Sequence, residues 1–201
     1  MDPLLPPAFL LAYFLAFFAL AFAWRSLLVW WRTGVNPVVL PAGDDAHAYV
    51  GRAFKVVMAA CGAVAAAPVL CADAPRWLGA WEALAAAPVA ACGWLLLLVA
   101  LAWVVVAQAQ MGASWRIGID SARSTALVQH GLFARSRNPI FLALRVELLG
   151  FFLVLPGAAT AALLVAGEIL MQVQVRLEEQ HLAALHGAAY ADYCARVRRW
   201  L

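Results

Sequence analysis

Charge is scarce in this chain. Only 12% of its 201 residues are Asp, Glu, Lys or Arg, about half the roughly 25% of an average soluble domain. So few polar groups cannot cover a protein of this size in water, which excludes the ordinary soluble class. Familiar signatures are missing as well. Cys61, Cys71, Cys92 and Cys194 show no C-x-x-C spacing, so neither a zinc site nor a disulfide framework is indicated. There is no G-x-G-x-x-G, no Walker loop and no nucleophile elbow around a serine. His181 and His186 are five apart, so they diverge on a helix and lack the i, i+4 geometry of a metal pair; no metal is expected. The net charge is only +3, and no nucleic-acid partner is expected. Met1-Asp2 supplies no basic leader. The apolar run from Ala8 to Trp31 exceeds the 7–15 residues of a signal-peptide core, so it is expected to be retained as a first helix.

What is abundant is apolar: 66% of the residues are hydrophobic, and they fall in long runs. A bilayer core about 30 Å thick is crossed by about 20 apolar residues, and backbone polar groups in lipid must pair within the segment, which makes each span helical. Five spans are predicted, at 8–31, 54–71, 87–108, 140–155 and 158–175, with Pro156-Gly157 turning between the last two. The expected fold class is all-α, a polytopic bundle of about five transmembrane helices plus a C-terminal amphipathic helix over 178–200. Residues 1–109 would hold the first three spans, and 110–201 the polar loop, the last two spans and the tail.

The basic residues are unevenly placed. Arg25, Arg32, Arg52 and Lys55 fall in the first loop, Arg116, Arg123, Arg135 and Arg137 in the third, and Arg176, Arg196, Arg198 and Arg199 in the tail. These segments hold 12 of the 14 basic residues. The positive-inside rule then puts the N-terminus outside and the C-terminus in the cytoplasm of an inner membrane, in agreement with an odd number of spans.

Arg145, Glu147 and Glu168 lie inside apolar runs, with Gln172 and Gln174 beyond them. Charge in the membrane is costly and faces a bundle interior or a wet cavity. Two readings stand side by side: an Arg145–Glu168 or Arg145–Glu147 pair that fixes packing, or a polar pocket open to the cytoplasm. Similar pairs of readings apply elsewhere. Glu178 and Glu179 are either site residues or solvated residues of a helix first turn. Tyr190 and Tyr193 are either site residues or interfacial anchors. Arg196, Arg198 and Arg199 are expected on acidic headgroups.

One ordered pattern runs through the C-terminal third. Leu127-Val128-x-x-Gly131-x-Phe133 is followed by Arg137-Asn138-Pro139-Ile140-Phe141. After two spans come Glu178-Glu179-x-x-Leu182, His186-Gly187-x-x-Tyr190-x-x-Tyr193 and Arg196-Val197-Arg198-Arg199. The set resembles the isoprenylcysteine carboxyl methyltransferase family and the wider group that includes phospholipid N-methyltransferases. The resemblance covers about 75 of the 201 residues. It implies a membrane-integral S-adenosylmethionine-dependent methyltransferase acting on a lipophilic small molecule or lipidated acceptor. By position, the cofactor would meet Thr125, Ala126, Leu127, Val128, Phe133, Asn138, Pro139, Ile140, Phe141 and Glu178. Arg137 and Asn138 are the candidate catalytic pair, and Gln174 and Arg145 the candidate acceptor-binding residues. The open N–H groups of a helix beginning at Pro139 suit a carboxylate, and aromatic faces suit a sulfonium. Asn138 stands where the family has His, Phe133 and Phe141 where it has Tyr, and Gln174 where the carboxyl methyltransferases have an Arg near their substrate. An NADPH-dependent reductase of the sterol-reductase type and a non-catalytic membrane scaffold are the competing readings.

Overall fold

Helices account for nearly all of the regular structure, and their starts follow from local chemistry. The computed structural model describes residues 5–38, 43–116 and 126–201. Pro7, Pro75, Pro88 and Pro139 sit in first helical turns, where a missing N–H costs nothing. The first rod joins α1 (Pro7–Phe18), a π-helical segment (Ala19–Trp24) and α2 (Arg25–Thr33). It ends at Gly34, whose φ of 68° suits a residue without a side chain. Asp45 caps α3 (Ala46–Leu70) through the N–H of Ala48 at 2.8 Å. A short α4 (Ala74–Trp77) precedes α5 (Ala87–Met111), α6 (Pro139–Val154), α7 (Ala158–His186) and α8 (Ala188–Arg196). No strand occurs among the described residues.

Four of these helices are long and apolar enough to cross a membrane: Pro7–Thr33, Ala46–Leu70, Ala87–Ser114 and Ala158–His186. Their outward faces are apolar too. Phe9 is 54% exposed, Leu95 61% and Ile169 59%, an exterior that suits lipid rather than water. Trp24, Trp30 and Trp31 are exposed at one end of the bundle and Trp77 and Trp81 at the other, where indoles favour the membrane–water boundary.

Several expected boundaries shift. α3 begins at Ala46, eight residues before the predicted span, so Arg52 and Lys55 are helical rather than in a loop. α6 has 16 residues, about 24 Å at 1.5 Å per residue, short of the 30 Å of a bilayer core. α7 runs eleven residues past the predicted 175 to His186. The tail therefore is not one helix over 178–200: it breaks at Gly187, and only Ala188–Arg196 forms a second helical piece.

The core sits where α1, α3, α5 and α6 meet, around Leu10, Cys61, Ala65, Leu97 and Phe151. A second cluster joins Phe17, Ala21, Val104 and Ala143. Buried positions of the first rod from Phe17 on recur every four residues: Ala21, Arg25, Val29. Each such step turns the face of an ideal α-helix by about 40°. The wider π-helical turns at 19–24 absorb that drift and keep all four on one line. The carbonyl of Ala21 there accepts a bond from Gln108 Nε2 on α5 at 2.9 Å.

α5 and α6 approach most closely through backbone. A side-chain carbon on Gly93 would lie 2.9 Å from the Gly150 oxygen, and one on Gly150 would lie 2.9 Å from the Gly93 oxygen. Small residues let helices pack closely where lipid supplies no hydrophobic drive between them. At the Trp77 end, the loop around α4 caps α7: Ala158 N donates to Gly79 O at 2.9 Å and Ala159 N to Leu78 O at 3.1 Å. Gly150→Val should push the two helices apart and lower stability by roughly 1–3 kcal/mol. Thermal unfolding in detergent measures this, and an unchanged midpoint would show that the close approach is dispensable.

Candidate functional site

The site is built at the end of the bundle where α5 finishes and α6 begins, the end that collects the arginines. Gln110, near the end of α5, accepts the Leu132 N–H at 2.8 Å and faces Gly131, which no side chain could replace without a clash. This pins the 3-10 turn Gly131–Ala134 and directs the chain through Ser136, Arg137 and Asn138 into α6.

The organising group is the Glu179 carboxylate, which accepts bonds from three side chains. Arg137 donates through Nε and Nη2 to Oε1 at 3.2 and 3.0 Å. Asn138 Nδ2 donates to the same oxygen at 3.1 Å. Arg199 donates from Nη2 to Oε2 at 2.7 Å and from Nε to both oxygens at 3.1 Å. The tail is gripped along its backbone as well. Arg137 N donates to Arg198 O at 3.0 Å and Arg137 Nη1 to Val197 O at 2.7 Å. Ser136 Oγ and Asn138 Nδ2 each lie 3.3 Å from Arg199 O. The donors of the candidate catalytic pair are therefore engaged within the protein.

Glu178 is on a different face. It pairs with Gln174 Nε2 at 2.8 Å, and no cation lies within 4 Å of it among the described residues. Both glutamates lie well inside α7, so the reading of a solvated first turn is corrected. Glu179 extends the buried series Gly167, Met171, Val175 at steps of four. That spacing was available in the sequence and points to Glu179 as the carboxylate that meets the turn before α6 and the tail.

The other predicted residues divide. Leu127 packs against Tyr190, Tyr193 and Val197. Phe133 is buried, and its carbonyl accepts the Tyr193 hydroxyl at 2.6 Å. Ala126 is exposed, its carbonyl 3.3 Å from Ser114 Oγ; Val128 is half-buried. Pro139 is buried, with Ile140 and Phe141 half-buried beside it. Thr125 lies outside the described residues. Arg145 donates to Glu168 at 2.6 Å, and Gln172 to the same carboxylate at 2.7 Å, which selects the first of the two predicted ion pairs. Glu147 instead meets the Tyr13 hydroxyl at 2.8 Å. Trp200, which the sequence reading passed over, lies with its ring centroid 4.5 Å from the Arg145 guanidinium carbon. Of the tail arginines expected on headgroups, Arg199 binds Glu179 and Arg196 binds Gln129 Oε1 at 2.9 Å.

Three features remain open for a ligand. No side chain caps α6, and the N–H groups of Ile140 and Phe141 have no partner among the described residues. The Tyr190 hydroxyl is buried without a partner. Glu178 offers a carboxylate with only Gln174 on it. The chain matches no family model, no curated protein and no solved structure.

Glu179→Gln should release the tail, because breaking a buried charge cluster by removing one partner costs about 3–5 kcal/mol. Limited proteolysis would then cut after Arg196 or Arg198 faster than in the parent, and equal rates would remove Glu179 from its organising role. Burial pushes the Tyr193 phenol up to about 12, against an ordinary value near 10. Since the folded value is the higher, stability should be full below about pH 10 and fall as pH rises through 12. Unfolding midpoints across that window test this, with Tyr193→Phe expected to flatten the slope.

Proposed function

We propose that this chain is a membrane-integral S-adenosylmethionine-dependent methyltransferase acting on a lipid-like or isoprenoid-linked acceptor. The observation that carries this reading is convergence. Segments that form the resemblance but lie far apart in sequence meet at one corner: Leu127 packs against Tyr190, Tyr193 and Val197, the Phe133 carbonyl accepts the Tyr193 hydroxyl, and the Arg137-Asn138 turn meets Glu179. Nothing in helix packing alone requires those stretches to be neighbours.

In this reading the basic end faces the cytoplasm, the N-terminus lies outside, and α6 is a fifth crossing completed by thinning of the bilayer or by the flanking polar groups. Bound S-adenosylmethionine supplies an electrophilic methyl group; the chain supplies placement and electrostatics. Ile140 and Phe141 N–H groups would hold the carboxylate. Glu178 would hold the ribose hydroxyls or the ammonium, and Tyr190 would add one hydrogen bond. Arg137 and Asn138 act as positioning residues through Glu179. An open groove of about 510 Å³ runs between α3 and α7, lined by Tyr49, Val50, Ile169, Leu170 and Val173 with Asp44 and Asp45 at its rim. In this reading an apolar acceptor would enter from the lipid along this groove, and Arg145 and Gln174 would contact it.

Calorimetric titration of the detergent-purified protein with S-adenosylhomocysteine and with NADPH tests the reading. S-adenosylhomocysteine should bind and NADPH should not. Binding of NADPH alone would favour the reductase, and binding of neither would favour a scaffold. Glu178→Ala should weaken S-adenosylhomocysteine about tenfold, the worth of one or two charge-assisted bonds, without changing the unfolding midpoint by more than a few degrees. Unaltered affinity would refute the role given to Glu178.

A further inference from the structure

Arg25 is a buried cation with no carboxylate beside it among the described residues. It is 7% exposed, on the inward line of the first rod. One terminal nitrogen donates to Gly112 O at 2.7 Å, and the guanidinium carbon lies 5.9 Å from the centroid of the buried Trp115 ring. Its Nε is buried with no hydrogen-bond partner. No carboxylate lies within 4 Å of it among the described residues, and the charge that acts on it from Arg32 has the same sign.

A second guanidinium repeats the arrangement on the same turn. Arg116 Nη1 donates to Ala113 O at 2.7 Å and to Trp115 O at 2.8 Å, while its Nε is also buried and unpartnered. Two arginines thus hold the carbonyls of the Gly112–Trp115 turn, each with an N–H left over and neither with a carboxylate within 4 Å among the described residues. A buried charge is stable when paired, and the guanidinium fork matches the geometry of phosphate and carboxylate oxygens. The π-helical segment is what turns Arg25 inward, and such segments are frequent at functional sites.

We propose that Arg25, Arg116 and Trp115 form a binding site for the phosphate group of a membrane lipid. The lipid is favoured as the source of the phosphate by what surrounds the site. The outward face of α2 carries exposed Trp24, Leu27, Trp30 and Trp31, side chains that sit where headgroups meet acyl chains. The site is separate from the Glu179 cluster and does not depend on the reaction assigned above, so its test reads binding rather than turnover.

The detergent-purified chain is titrated with dioleoylphosphatidylglycerol, with dioleoylglycerol as a neutral control and with inorganic phosphate, following the unfolding midpoint and the bound lipid by native mass spectrometry. The phosphatidylglycerol should raise the midpoint and be retained, and dioleoylglycerol should do neither. Arg25→Gln and Arg116→Gln should each weaken lipid binding about tenfold, the loss of a charge-assisted contact, with Arg25→Lys intermediate. Arg116→Gln carries the test if Arg25→Gln fails to fold. Equal protection by inorganic phosphate at the same phosphate concentration would overturn the lipid as source. No protection of the parent by either phosphate compound, or undiminished binding by Arg116→Gln together with either Arg25 variant, would overturn the site.

Discussion

Inside a bilayer there is no water to receive a stray hydrogen bond, so every polar group carried into the apolar slab must be answered by the chain itself. Several side chains within the spans follow this rule. Tyr13 on α1 bridges the Leu97 carbonyl on α5 and Glu147 on α6, tying three helices at one hydroxyl. Gln108 fills the carbonyl of Ala21 in the π-helical turns. Thr160 turns its hydroxyl back to Leu155 and Gly157, serving carbonyls at the α6–α7 bend. Arg145, Glu168 and Gln172 form one chain of bonds down the α6–α7 face. Apolar packing among helices in lipid is weakly specific, because acyl chains are as apolar as leucine. These polar contacts fix which helix faces which.

The same rule explains what the sequence disclosed and what it withheld. The long apolar runs were legible because a bilayer imposes a length, and the turn at Pro156-Gly157 was legible because its residues cannot continue a helix. The extension of α7 to His186 was hidden: hydropathy falls after Val175, yet a helix continues where its polar residues find partners, as Gln174 does with Glu178. The part played by Glu179 was legible but easily passed over: the step of four from Gly167 through Val175 leads to it, while the motif-like pattern draws the eye to Glu178. The grip of 136–138 on 197–200 joins residues about sixty positions apart, and no local signal encodes a return of that length. Trp200 and Arg145 are almost as far apart in sequence, and their contact follows from that return.

Arg137 shows how the site and the fold constrain each other. Its backbone N–H, both terminal nitrogens and Nε are committed to the tail and to Glu179. A guanidinium so engaged has little left with which to touch a reacting group. Its charge instead makes a single carboxylate on α7 hold the turn before α6 and the tail beyond α8 at once. Charge clusters of this kind contribute little net stability over an apolar substitute but can specify one arrangement among several. The α6 N–H groups and the Tyr190 hydroxyl keep no partner among the described residues, and Glu178 keeps only Gln174. Methyl transfer needs an aligned donor and acceptor more than it needs a strong acid or base. A site whose charged residues are occupied in holding geometry, with only a few neutral donors and one acceptor left over, is therefore suited to the chemistry proposed. Arg25 at the same end, with no carboxylate beside it among the described residues, contrasts with the Arg137–Glu179–Arg199 cluster, where each charge meets its opposite.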